Sequence, residues 1–257
     1  SDVCSSDLDA SGRMSADTAR KEITEEVFAI VGNAGATNCG AVDDLEGLAE
    51  LAVEHEVWLH VDGAYGLAAL ADRKVRDIFK GIERADSFIV DPHKWLFAPY
   101  DCCALVYRDS LKGAQAHGQK GVYLDTLDHA AWNPSDYALQ LTRRARGLPL
   151  WFSLVTYGTL AYEQAISKTI QIAQELADEI DKAPNLKLLL GPQLTVILFK
   201  PVNVKGPALE QWCEAQRRSG ALLCLPTKWR GEEVLRLCVV NPETDTNHVM
   251  NVLQTLT

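Results

Sequence analysis

Two short segments carry side chains whose types and placement could do covalent chemistry on a carbonyl group. The first is Ala85-Asp86-Ser87-Phe88-Ile89-Val90-Asp91-Pro92-His93-Lys94-Trp95. Its apolar run ends at Val90, Pro92 breaks the extended pattern, and His93 and Lys94 fall in the turn beyond the strand's carboxyl end. In open α/β sheets, ligands bind at that edge. A lysine flanked by Pro92, His93 and Trp95 is expected to be partly desolvated, and desolvation lowers an amine's pKa and frees it to attack a carbonyl. Taken alone, a lysine in such a turn is more often simply solvated.

The second segment is His60-Val61-Asp62-Gly63-Ala64-Tyr65. Asp62 also closes an apolar strand, where a bare carboxylate is costly unless paired. A buried cation is its natural partner, and a protonated pyridine nitrogen is one such cation. An aspartate beside that nitrogen keeps the ring positive and makes it an electron sink. Gly63 and Ala64 are small enough to let a flat ring approach the backbone. Alone, Asp62 reads as well as a turn or helix-capping aspartate. The same residues admit a second chemistry: His60, Asp62, Asp91 and His93, on adjacent strand ends, could ligate a divalent ion in a metal-dependent hydrolase.

The elements that must position these groups alternate strand with helix. Val27–Val31, Val57–Val61, Ser87–Val90 and Cys103–Tyr107 read as short apolar strands. The loop Gly32–Gly40 follows the first. A helix opens at Asp43, with Glu46 three residues on as a capping box and Leu45, Leu48, Ala49 and Ala52 on one face. Short apolar strands divided by helices indicate a parallel sheet covered on both faces. Beyond Pro149 the pattern becomes a long helix over 150–181, breaking near Gly158. Strands around 186–190 and 194–199, a helix over 208–218, a strand over 234–239 and a last helix over 246–256 follow.

Composition narrows the classes. The 257 residues carry a net charge of −10, which argues against a nucleic-acid or anionic-membrane partner. No apolar stretch approaches the ~18 residues of a membrane span. The seven cysteines are scattered, mostly in apolar surroundings, and form no C-x-x-C. That pattern fits reduced thiols in a cytoplasmic protein, not a zinc site or disulfide framework. Ser1–Leu8 resembles the translation of a sequencing-library adapter, so residues 1–20 are expected to be an artefactual or disordered start.

Asp62-Gly63-Ala64-Tyr65 followed by Ala85-Asp86-Ser87 and Pro92-His93-Lys94-Trp95 resembles the group II pyridoxal-phosphate-dependent amino-acid decarboxylases, which include the aromatic-L-amino-acid and glutamate enzymes. The resemblance runs from about Val27 to the C-terminus. It implies an α/β, type I pyridoxal-phosphate transferase fold. Residues 21–151 would form a partial cofactor-binding large domain with a mostly parallel sheet, and 152–257 a linking helix and small α/β C-terminal domain. It also implies pyridoxal 5'-phosphate as cofactor, an L-amino acid (aromatic as the first choice) as substrate, and a homodimer for the full-length enzyme.

By position, Lys94 would hold the cofactor as a Schiff base, Asp62 would pair with the ring nitrogen and Ala64 would touch one ring face. Thr37 would lie near the cofactor and His93 beside its lysine. Tyr123, in Val122-Tyr123-Leu124-Asp125, matches a mobile-loop tyrosine that helps protonate the carbanion after CO2 leaves. Tyr123 and the Pro-His-Lys-Trp context weigh against transamination or carbon–sulfur cleavage. Arg143, Arg144 and Arg146 resemble an Arg-Arg-x-Arg segment that either contacts substrate or forms a structural ion-pair cluster.

Two departures stand out. Asp91 replaces a frequent asparagine, and a carboxylate close to a phosphate must point away or bind a cation. The family's upstream half, which grips the phosphate at a helix N-terminus and stacks a ring on the cofactor, has no counterpart in this sequence. By itself the chain is therefore expected to be inactive and poorly soluble.

Overall fold

Three short strands run parallel: β1 (Ala29–Asn33), β2 (Trp58–Asp62) and β3 (Ser87–Val90). The computed structural model describes residues 8–118 and 133–256. Asn33 lies opposite Asp62, and Asp62 opposite Ile89, so the three carboxyl ends share one edge. A fourth strand, β4 (Ala104–Tyr107), pairs antiparallel with β3 and completes the order β1-β2-β3-β4. The sheet is thus mostly parallel.

Helix α1 (Ala16–Arg20) precedes the sheet and α2 (Leu45–Glu54) joins β1 to β2. Leu45, Leu48, Ala49, Leu51 and Ala52 of α2 are buried against Ile30, Leu59 and Val61 of the strands. Each buried leucine contributes roughly 1.5–3 kcal/mol of transfer free energy. The helix cap is Asp44, whose side chain accepts from the Gly47 N–H, and not Asp43. Asp43 is 2% exposed and instead accepts from the backbone N–H groups of Met14 at 2.8 Å and Asn33 at 2.6 Å. Burial outweighs those bonds and raises its carboxyl above the usual carboxylate range. The β2–β3 connection holds no α-helix, only the 3-10 turns Gly66–Ala71, Arg76–Phe79 and Ile82–Arg84.

Residues 8–20 are folded onto the body, against the expectation of a disordered start. Leu8 bridges Met14, Arg13 Nε donates to Val42 O at 2.7 Å, and Arg20 pairs with Glu54. Ser15 and Thr18 cap α1 reciprocally, which explains an ordered helix of only five residues.

After β4 come α3 (Ser110–His117) and the long helix α4 (Gly147–Lys182). Gly158 breaks α4 with φ 75° and ψ 160°, a backbone conformation that an L-residue with a side chain rarely adopts. Ile166 and Ile170 of α4 join the core of the first sheet, whereas Ile172, Ala173, Leu176, Ala177 and Ile180 join a second core. That second core packs on an antiparallel sheet of β5 (Leu186–Leu190), β6 (Val196–Pro201), β7 (Leu225–Trp229) and β8 (Glu232–Cys238), in the order β5-β6-β8-β7. Helices α5 (Pro207–Ser219) and α6 (Thr246–Leu253) complete it.

Candidate active site

Thr37, Asp62, Ala64, His93 and Lys94 lie at or beyond the carboxyl ends of β1, β2 and β3, where parallel strands leave a crevice for ligands. Thr37 follows β1, Asp62 ends β2 with Ala64 just beyond, and His93 and Lys94 follow β3. Backbone bonds tie the three ends together. Ala34 N–H donates to Asp62 O at 2.8 Å, Gly63 N–H to Ile89 O at 3.1 Å, and Asp91 N–H to Ala64 O at 2.9 Å. Glycine permits the close approach of the first two loops: a Cβ on Gly66 would lie 2.2 Å from Ala34 O.

Asp62 is half-buried and accepts from the Ala64 N–H at 3.1 Å. Lys94 departs from expectation in being open, with its side chain 42% exposed. Its ammonium lies 2.9 Å from the Asp91 carboxylate, so Asp91 answers the sequence question by binding a cation, the lysine itself. Burial pushes the Asp91 carboxyl up. Hydrogen bonds from Lys94 and Cys103, with the charges of Lys94 and His93, outweigh burial and hold it below the usual range. The Cys103 thiol is pushed up to about 11, first by burial and then by its bond to Asp91, so at neutral pH it is a donor.

His93 is fixed by main chain: Nδ1 lies 2.6 Å from Cys102 O and 3.1 Å from Cys102 N, and its ring meets Tyr100 edge-on at 5.0 Å. The next residue, Asp101, accepts from Arg144 and, at 3.1 Å, from Arg146 Nε. Arg143 donates to Pro134 O at 3.2 Å. In this structure the arginine segment therefore forms ion pairs that anchor the loop behind His93. Thr37 is exposed, and its carbonyl accepts from Arg236 Nε of β8 at 2.6 Å. Tyr123 lies outside the described residues.

The metal-hydrolase alternative fails on geometry. His60 Nδ1 is 2.8 Å from Ser87 Oγ, and the Asp91 carboxylate is engaged by the Lys94 ammonium at 2.9 Å. No group of three or more His, Cys, Asp or Glu placed to hold a metal occurs among the described residues.

Sequence reasoning missed the groups that brace the lysine turn. Trp95 is fully buried, stacks on Tyr65 with ring centroids 5.0 Å apart and planes 9° apart, and donates from Nε1 to Thr169 Oγ1 of α4 at 2.9 Å. The Tyr65 hydroxyl bonds to Thr195 Oγ1. Burial, then the charge and hydrogen bond of Cys238, raise the Tyr65 phenol well above its ordinary value, against Thr195 and Arg236. Ala64 and Lys94 thus each precede an aromatic ring locked to the other's, and both rings are fastened to distant elements. Tyr65 and Trp95 were visible in the motifs; nothing local marked Thr169 or Thr195.

A mostly parallel α/β sheet with a lysine, an aspartate and small residues at one strand edge, followed by a long helix and a second, antiparallel sheet, is the fold of the type I pyridoxal-phosphate class. The chain belongs to the pyridoxal-dependent decarboxylase family: the model of the pyridoxal-dependent decarboxylase conserved domain matches residues 7–202. An aromatic-L-amino-acid decarboxylase of Bacillus atrophaeus is 31% identical, over 98% of this chain and 56% of that protein. The human acidic amino acid decarboxylase GADL1 is 32% identical, over 94% of this chain and 51% of that protein. The crystal structure of mouse CSAD in apo form matches with a TM-score of 0.86 at 26% identity, covering 97% of this chain and 56% of that one. The chain therefore spans about half the length of the curated relatives it matches.

Proposed function

We propose that this chain is the lysine-bearing part of an enzyme that uses pyridoxal 5'-phosphate to remove CO2 from an L-amino acid, aromatic amino acids being the first choice. The observation that carries the reading is the joining of two loops: the Asp91 N–H to Ala64 O bond sets the Lys94 turn beside the Asp62 turn. An amine able to capture an aldehyde and a carboxylate able to hold a protonated ring nitrogen then share one edge of the sheet.

The residues fit the aldehyde and ring of this cofactor. Lys94 would hold it covalently, Asp62 would keep the ring nitrogen protonated, Ala64 would leave room for one face, and Thr37 and His93 would flank it. The bound cofactor supplies an electron sink for the electrons left behind when a carboxylate departs. Tyr123 would then deliver the proton that completes the amine. The reading extends to a homodimer in the whole enzyme, supported by the exposed apolar side chains of Trp151 (54%), Phe152 (56%), Val155 (64%) and Leu160 (62%) on the first half of α4. It extends also to a cytoplasmic location. The described cysteines are free thiols, and no described helix is long and apolar enough to cross a membrane.

The test is borohydride reduction of the cofactor-loaded whole enzyme, with peptide mapping of the label and CO2 release from a panel of L-amino acids. Label is expected on Lys94 and absent from Lys94→Ala. Label on another lysine, or loading without CO2 release from any amino acid, refutes the reading.

A further inference from the structure

Among the side chains around Lys94, Asp91 makes contacts of four kinds. Its carboxylate, 12% exposed, is 2.9 Å from the Lys94 ammonium. The Cys103 thiol donates to the same carboxylate. Its backbone N–H donates to Ala64 O at 2.9 Å, and its own carbonyl accepts from the Lys94 N–H at 2.9 Å. One residue therefore fixes the main chain of the lysine turn, the lysine side chain and the neighbouring Ala64 loop.

We propose that Asp91 is a positioning residue that holds Lys94 in an ion pair at the carboxyl end of β3 until an aldehyde arrives. The inference rests on Lys94 being the cofactor lysine. An ammonium is not a nucleophile. To capture an aldehyde, Lys94 first releases one proton to solvent. Its nitrogen then bonds to the aldehyde carbon, and the carbonyl oxygen leaves as water with the two remaining nitrogen hydrogens. While the Lys94 nitrogen stays 2.9 Å from the Asp91 carboxylate it is held away from an incoming carbon, so that contact must open before the new bond can form. The carboxylate also repels the phosphate of an incoming phosphorylated aldehyde. Asp91 thus trades speed of capture for a lysine held in place beside Ala64.

The test uses the full 257-residue chain and two aldehydes, pyridoxal 5'-phosphate and pyridoxal, which lacks the phosphate. Each is trapped briefly with borohydride, and the yield at Lys94 is read by peptide mass spectrometry. Asp91→Asn should raise the Lys94 yield with pyridoxal about three- to fivefold, the scale of one partly exposed ion pair. The rise should be larger with pyridoxal 5'-phosphate. Asp91→Glu, which keeps the charge, should return most of the yield to that of the unaltered chain, a rescue that a purely steric role would not produce. An unchanged or lower yield in Asp91→Asn overturns the proposal. Label that never reaches Lys94 refutes the proposed function itself and takes this inference with it.

Discussion

Gly66→Ala should destabilise the chain far more than an added methyl group usually does. Gly66 opens the turn that follows Asp62, Gly63, Ala64 and Tyr65, and an ideal Cβ there would lie 2.2 Å from Ala34 O and 2.7 Å from Leu194 Cδ1. The leucine can rotate, but the carbonyl cannot. Ala34 is fully buried, donates its own N–H to Asp62 O at 2.8 Å and bridges Val42. Restoring an ordinary contact requires the two backbones to part by about 1 Å. Overpacking of this kind costs about 1–3 kcal/mol, and loosening the Ala34–Asp62 bond adds about 1 kcal/mol. The sum is about 2–4 kcal/mol. Gly191→Ala is the control: its Cβ would meet nothing within 4 Å and its backbone lies outside the left-handed region, so it should be neutral or slightly stabilising. Urea unfolding in dilute solution, followed by far-UV circular dichroism, reads both. With an m-value near ~2 kcal/mol/M, the Gly66→Ala midpoint should fall by about 1–2 M. A midpoint indistinguishable from that of Gly191→Ala would show that the two loops are not clamped as described.

In the whole enzyme, Asp62→Ala should cut the rate of CO2 release by at least ~100-fold, the scale of losing one preorganised electrostatic partner; a near-normal rate would make Asp62 purely structural. Tyr123→Phe should divert product from amine toward aldehyde and ammonia, because slower protonation leaves the carbanion open to attack by O2, and an unchanged amine yield would place the proton donor elsewhere. Expressed alone, residues 9–257 should release no CO2 and should lose added pyridoxal 5'-phosphate on dialysis; retention with turnover would show this stretch to be self-sufficient.

The strands were legible where polar residues bracket an apolar run. Asp86 and Asp91 enclose Ser87–Val90, and the strand occupies those four residues. The run Val27–Val31 misled by two positions, because Gly32 and Asn33 are poor strand formers by themselves yet pair with Val61 and Asp62. Cross-strand pairing overrode local propensity there. Leu225–Trp229 was missed for a related reason: Pro226 argues against a strand, but β7 is the sheet edge, where a residue without an N–H is tolerated. The antiparallel return of β4 was hidden too. Residues 91–103 form no crossover helix, so the chain doubles back along β3 after the lysine turn.

The site divides along the same physical line. Asp62 and Lys94 were placed by sequence because a strand end announces itself in a handful of consecutive residues: Asp62 is the last residue of β2 and Lys94 lies in the turn after β3. What holds them could not be, since those bonds join residues remote in the chain. Trp95 reaches Thr169, 74 positions away, and Tyr65 reaches Thr195, 130 positions away. A threonine in a helix and another before a strand carry no mark of a role, and a tryptophan after a lysine reads as bulk. Yet Trp95 is fully buried only because its indole N–H finds the Thr169 hydroxyl, itself fully buried and donating onward to Ile166 O. An unpaired polar atom there would cost about 1–3 kcal/mol. The lysine is therefore exposed on a turn whose neighbouring residue is among the most firmly fixed in the chain. A flexible four-carbon side chain on a rigid base can leave Asp91 without the backbone following, which is the movement the proposed role of Lys94 requires.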